Sequence, residues 1–150
     1  MILEKNMLWI KTFFGILFQT SLLGIFLYLP ALTLNWSDAF LFLSIHFLIT
    51  ILASAYLLII KPASIEARMN YNSEAQPKED RLATALMLSA IIVGLSLAPI
   101  DIFHLNLSSS FEGIIKNIGL GVYTIGMLLV MASMNANEFA ETTVNIQEER

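Results

Sequence analysis

The chain contains no cysteine. That one absence excludes disulfide frameworks, thiolate metal sites and cysteine nucleophiles together. Charge is scarce too: Asp, Glu, Lys and Arg make up 13% of the 150 residues, against about 25% in ordinary soluble domains. The 8 basic residues are outnumbered by 12 acidic ones, and no basic stretch exists that could neutralise nucleic-acid phosphates, so nucleic acid is not an expected partner. Low-complexity tracts, internal repeats and a separate soluble domain are also missing.

Apolar residues are what the chain has in abundance, at 57%. Such a chain has no reason to remain solvated and extended, which excludes disorder. Four uncharged apolar runs stand out, at residues 12–29, 39–60, 82–100 and 118–134, and every charged residue falls outside them. At about 1.5 Å rise per residue their lengths bracket the roughly 30 Å of hydrocarbon that a spanning helix must cross. Helices of a water-soluble bundle would carry a polar outer stripe, whereas these runs are apolar all round. The expected fold is therefore all-α: one polytopic membrane domain over residues 1–150, with four transmembrane helices. The first run is too long for a secretory signal and continues into Tyr28, Leu29 and Pro30 without a small-residue cleavage site, so it reads as a retained helix. Gln19, Thr20 and Ser21 fall in its middle and are expected to face neighbouring helices or bond back to their own backbone.

Loop charge orients the helices. Lys5 and Lys11 precede the first helix, and Lys61, Arg68, Lys78 and Arg81 lie around the second loop. The first loop has no basic residue and the third has Lys116 alone. The positive-inside rule then places both termini and the second loop in the cytoplasm. Trp9 and Trp36 sit beside helix ends as interfacial anchors, and Pro30 and Pro62 mark helix exits. Residues 61–81 read as a solvated loop, with Lys78, Glu79, Asp80 and Arg81 as a charged start to the third helix.

Few residues offer chemistry. His46 is the one ionisable group inside a run; with no acidic residue or second histidine in another run, it is expected to make a structural hydrogen bond to a neighbouring helix. Asp101 and His104 are three apart just past the third run, where two potential ligands do not make a zinc site and a polar helix cap is the expected role. No catalytic or metal-ligating residue is assigned. Ala90, Gly94 and Ala98 recur every fourth residue, a small-residue stripe expected to let another helix approach the third one closely. Gly119, Gly121 and Gly126 suggest close packing of the fourth.

After residue 134 the composition turns polar. Phe139, Thr143 and Ile146, spaced by four and three beside Val144, suggest a cytoplasmic helical extension with one semi-apolar face. The same segment carries Asn137, Phe139, Val144, Ile146, Gln147 and Arg150, which together resemble the N-x-F-x-x-x-x-V-x-I-Q-x-x-R run of the isoprenylcysteine carboxyl methyltransferase family and its bacterial relatives. Residues 66–69, the Lys78 to Leu82 cluster and the Ala98 to Asp101 stretch also look like that family's middle region, so the resemblance covers about residues 65–150. Relatives often have N-P-F-F-S where this chain has Asn137, Glu138, Phe139, Ala140 and Glu141, and often a basic residue in place of Asn145.

In that family the run is followed by a G-H-x-V-x-x-x-G-P-Y-x-x-x-R-H-P-x-Y pattern that supplies the cofactor-binding and catalytic apparatus, and this pattern is not in the 150 residues. The resemblance thus implies the N-terminal membrane part of a longer S-adenosylmethionine-dependent methyltransferase, inactive alone, in which membrane lipid surrounds the helices and a lipophilic acceptor is methylated at the cytoplasmic face. It also implies that Gln147 and Arg150 lie near the cofactor, most of whose binding residues come from the following half. The rival expectation is a complete four-helix membrane protein acting as a binding or accessory subunit.

Overall fold

The computed structural model describes residues 2–69, 78–107 and 113–136, with no side-chain description at residues 2–5, 67 and 78–80. Within them the chain forms five α-helices and no strand: α1 (Ile2–Ala31), α2 (Ser37–Ile60), α3 (Pro62–Met69), α4 (Lys78–Ile100) and α5 (Ile114–Ala136). Four of these, α1, α2, α4 and α5, are long and apolar enough to cross a membrane, which makes the protein a multi-pass helical membrane protein. Each of the four outruns the charge-free stretch that announced it. The sequence marks where lipid begins, but a helix goes on satisfying its backbone hydrogen bonds into the interface, so α1 includes Lys5 and Lys11 and α5 includes Lys116.

Packing runs in a row: α4 lies against α1, α1 against α2, and α2 against α5. One end of the row holds Leu8 and Trp9 of α1, the α2–α3 corner and the last turn of α5. The other end gathers Tyr28 of α1, Trp36 at the start of α2 and Phe103 beyond α4. Consecutive long helices are therefore antiparallel. The two inner helices carry most of the buried side chains, joined by Ser64 and Ile65 of α3 and Pro99 of α4; the candidate span of α4 is otherwise almost wholly exposed, and that of α5 has no buried residue. Such exposure is what lipid solvates, because a leucine gains little on moving from acyl chains into a helix interface.

Three local features depart from the sequence reading. First, the stretch expected to be loop from residue 61 contains α3. Pro62 stands at its first position, where a missing N–H is no loss, and Arg68 in its last turn complements the negative end of the helix dipole. Second, Pro99 lies near the end of α4, and the chain widens into a π-helical turn over Asp101–Leu105, closed by the Asn106 N–H donating to Asp101 O at 2.7 Å and by Asn106 in the left-handed region. Third, Pro30 falls inside the last turn of α1 rather than after it, and the helix ends one residue later, with Leu32 at a φ of 54°.

Candidate functional site

Most polar contacts that join different helices lie at three levels along the row. At the α3 end, α2 stops when Lys61 leaves the helical region, its N–H still donating to Leu57 O at 2.7 Å. Pro62 then turns the chain so that Ile65 drops onto Leu57 and Leu58, with Leu8, Trp9 and Met134 packed around them. The turn buries Ser64 completely. Its hydroxyl donates to Met134 O at 3.3 Å, and Arg68 donates to both the Ser64 carbonyl and its hydroxyl oxygen at 2.6 Å. Lys61 Nζ reaches Asn135 O at 2.7 Å. Two side chains of the α2–α3 corner thereby hold two carbonyls in the last described turn of α5. Burial pushes the Arg68 guanidinium below its ordinary pKa, yet from so high a starting point it stays protonated at neutral pH.

Beside this corner a cleft of about 250 Å³ opens between α1 and α2. Trp9, Phe13 and Ile16 line one wall, and Ile51, Ala55 and Leu58 the other. Thr12 stands in the cleft as well, but its hydroxyl is turned back onto Leu8 O at 2.8 Å, which leaves the lining almost entirely apolar. The space suits a hydrocarbon group and offers nothing to a charged one.

At mid-span His46 on α2 meets Tyr123 on α5, with 2.5 Å between Nδ1 and the phenol oxygen. This is the interhelical bond that the isolation of His46 in the sequence suggested. Phe42 sits one turn away, 6.5 Å from the imidazole and 4.8 Å from the phenol ring between centroids. The other imidazole nitrogen, Nε2, is buried without a hydrogen-bond partner among the described residues, as are the hydroxyls of Thr50 and Thr20. Thr20 is the one member of the mid-helix polar trio that is partly buried. Gln19 and Ser21 are exposed, so of the two expected roles, facing a neighbouring helix or bonding back to the backbone, the first does not hold for them, because three consecutive residues spread over about 200° of a helix.

At the far end the expected caps appear in detail. Asp101 accepts from the Leu107 N–H at 2.8 Å. His104 Nε2 stands 2.7 Å from Pro30 O, and since a carbonyl only accepts, that nitrogen carries the proton. Trp36 packs edge-on to Phe103 at 5.3 Å and to Tyr28 at 6.4 Å, and the Tyr28 hydroxyl donates to Trp36 O at 3.4 Å. Asp101 and His104 thus face different partners, and among the described residues no three His, Asp or Glu side chains converge as metal ligands would.

Two sequence expectations fail on geometry. Ala90, Gly94 and Ala98 are all exposed, and a methyl group added at Gly94 would meet nothing within 4 Å. Gly119, Gly121 and Gly126 are equally open. The close approach occurs instead at Gly24, where an added Cβ would lie 3.6 Å from Leu43 of α2. Gln147 and Arg150, with the whole segment 137–150, lie outside the described residues. Sequence reasoning missed the Lys61–Ser64–Arg68 corner, whose signal was Pro62 opening a stretch with Ile65 and Met69 four apart.

Together these features define a class, a multi-pass α-helical membrane protein with an apolar cleft beside one polar corner. No family model matches the chain, and no curated protein or solved structure matches it.

Proposed function

We propose that the chain is the N-terminal, membrane-embedded portion of an S-adenosylmethionine-dependent enzyme of the isoprenylcysteine carboxyl methyltransferase type, acting on a lipophilic acceptor at the cytoplasmic membrane face. The observation that carries this reading is the corner at α3. Lys61 and Ser64 fix the last described turn of α5 at the corner that borders the apolar cleft, and the segment with Asn137, Phe139, Gln147 and Arg150 follows that turn directly in the sequence. A lipid-soluble acceptor and a charged, water-soluble cofactor can meet only at such a boundary. The charge distribution supports the cytoplasmic assignment, since Lys61 and Arg68 stand at this end while Lys116 stands at the other.

The described residues do not themselves suit S-adenosylmethionine. The cleft lining holds no carboxylate or other charged group, and its only polar side-chain groups are the Thr12 hydroxyl and the Trp9 indole N–H, too few for a ribose and an amino-acid head. The cofactor is therefore assigned to the family's following half, with Gln147 and Arg150 at its margin. What the described part contributes is orientation: a cleft for the acceptor's hydrocarbon and a fixed departure point for the catalytic segment.

The test is to read the gene in frame past Arg150 and assay the whole product. A continuation bearing the glycine–histidine pair and the R-H-P motif is expected, with transfer of labelled methyl from S-adenosylmethionine into an organic-extractable acceptor in membranes. A stop codon directly after Arg150 would overturn the proposal and leave a four-helix binding or accessory protein.

A further inference from the structure

At the Trp36 end, opposite the α3 corner, α2 and α5 enclose a second cavity of about 210 Å³. Asp38 and Lys116 stand at its mouth, 2.8 Å apart and each about half exposed (46% and 48%). Both lie in or next to the first turn of their helices, α2 from Ser37 and α5 from Ile114, so the pair sits at headgroup depth. Inward, the walls become Leu41, Phe42 and Leu120, and the floor ends at Tyr123. The run from Lys116 to Tyr123 along α5 covers about 10 Å at 1.5 Å per residue, enough to admit the first methylenes of an acyl chain into the hydrocarbon. Gly119 keeps this channel open, with nothing within 4 Å of where its Cβ would be.

We propose that this seam between α2 and α5 binds a zwitterionic phospholipid with a primary ammonium headgroup. The argument is charge complementarity at the mouth of an apolar slot. Lys116 uses one of its three N–H donors on Asp38 Oδ1, and the second carboxylate oxygen of Asp38 is free to accept. A phosphate beside Lys116 and an ammonium beside Asp38 would complete a ring of alternating charges, each pair a charge-assisted hydrogen bond. Phosphatidylcholine has no N–H to give Asp38, and phosphatidylglycerol has no cation at all. The slot opens sideways to lipid, so the occupant arrives from within the leaflet. The site is independent of the proposed methyl transfer, which belongs to the other end of the row.

Native mass spectrometry of the detergent-purified 150-residue chain tests this, with phosphatidylethanolamine, phosphatidylcholine and phosphatidylglycerol of identical acyl chains added in turn. Retention of phosphatidylethanolamine about fivefold above the other two is expected for two partly exposed charge contacts. Lys116→Gln and Asp38→Asn should reduce it to the level of the others. Gly119→Leu leaves the ion pair intact and fills the slot, so it should lower retention of all three lipids while circular dichroism and elution stay unchanged. Equal retention of the three lipids by the unaltered chain would overturn the proposal, as would phosphatidylethanolamine retention that survives Gly119→Leu. So would efficient disulfide trapping of two copies through Gly119→Cys, which would make the seam a contact between protomers.

Discussion

Nδ1 of His46 and the hydroxyl of Tyr123 lie 2.5 Å apart, and this bond joins α5 to the row at mid-span, in a span that has no fully buried residue. Because His46 is 3% exposed and its Nε2 already lacks a partner among the described residues, the imidazole depends on Tyr123 for its one hydrogen bond. Tyr123→Phe should destabilise the fold by about 1 kcal/mol, within the range of interhelical bonds in membranes. His46→Leu removes both the bond and the orphaned nitrogen and leaves a phenol at the edge of a cavity, so its cost should be smaller. The double variant should resemble His46→Leu alone. Denaturation in sodium dodecyl sulfate, followed by circular dichroism, measures all three; additive costs would show that the two side chains do not act as a pair.

Ser64 is the pivot of the α3 corner, with 0% exposure and contacts to Met134 O and Arg68. Ser64→Ala deletes both hydroxyl contacts with little change of volume, and a loss of about 1 kcal/mol is expected in the same assay. Ser64→Leu forces bulk into a filled corner and should cost more, about 1–3 kcal/mol. A leucine variant as stable as the parent would mean that the corner is loose.

Leu57, at 2% exposure, packs with Leu58 and Ile65 where α2 and α3 meet. Leu57→Ala should cost about 2 kcal/mol or more through the cavity it leaves. Leu129 on α5 is 66% exposed, and Leu129→Ala should stay within about 0.5 kcal/mol. Comparable losses at the two positions would place a partner, rather than lipid, on the outer face of α5.

The absence of cysteine makes orientation easy to read, because single thiols can be introduced without background. Glu66→Cys on α3 should react with an impermeant maleimide only when the cytoplasmic face is open, and Asn35→Cys, beside Trp36, only from the opposite face. Both positions are exposed. The reverse pattern would invert the topology on which the proposed function rests.

The four spans were legible because lipid imposes a length and a composition that no local preference can override: residues 39–60 fill nearly all of α2. The bond of His46 to another helix was legible for the same reason, since an isolated imidazole in hydrocarbon must find a partner. Helix ends were not, because charge marks the edge of the hydrocarbon while hydrogen bonding marks the end of the helix. Nor was α3, which is too short for the spacing of Ile65 and Met69 to stand out beside Ser64 and Glu66. The choice of facing residues was the deepest gap: Ala90, Gly94 and Ala98 form a better stripe of small residues than anything on α1, yet the close approach falls at Gly24. A stripe says that a helix can be approached closely; which neighbour arrives depends on the order of the helices in the row.

That difference gives a direct comparison between two glycines. Gly94 on α4 has nothing within 4 Å of an added Cβ, so Gly94→Leu should be neutral or slightly stabilising, since leucine is the better helix former by up to about 1 kcal/mol. Gly24 on α1 would place its new Cβ 3.6 Å from Leu43, ordinary contact for alanine but a collision for anything longer. Gly24→Ala should therefore be tolerated, while Gly24→Leu must push α1 and α2 apart and should cost about 1–3 kcal/mol. Unfolding of the three variants in one detergent decides the matter. If Gly94→Leu is the damaging change, another helix covers α4 and the small-residue stripe is an interface after all; if Gly24→Leu is, the seam between α1 and α2 sets the spacing of the row.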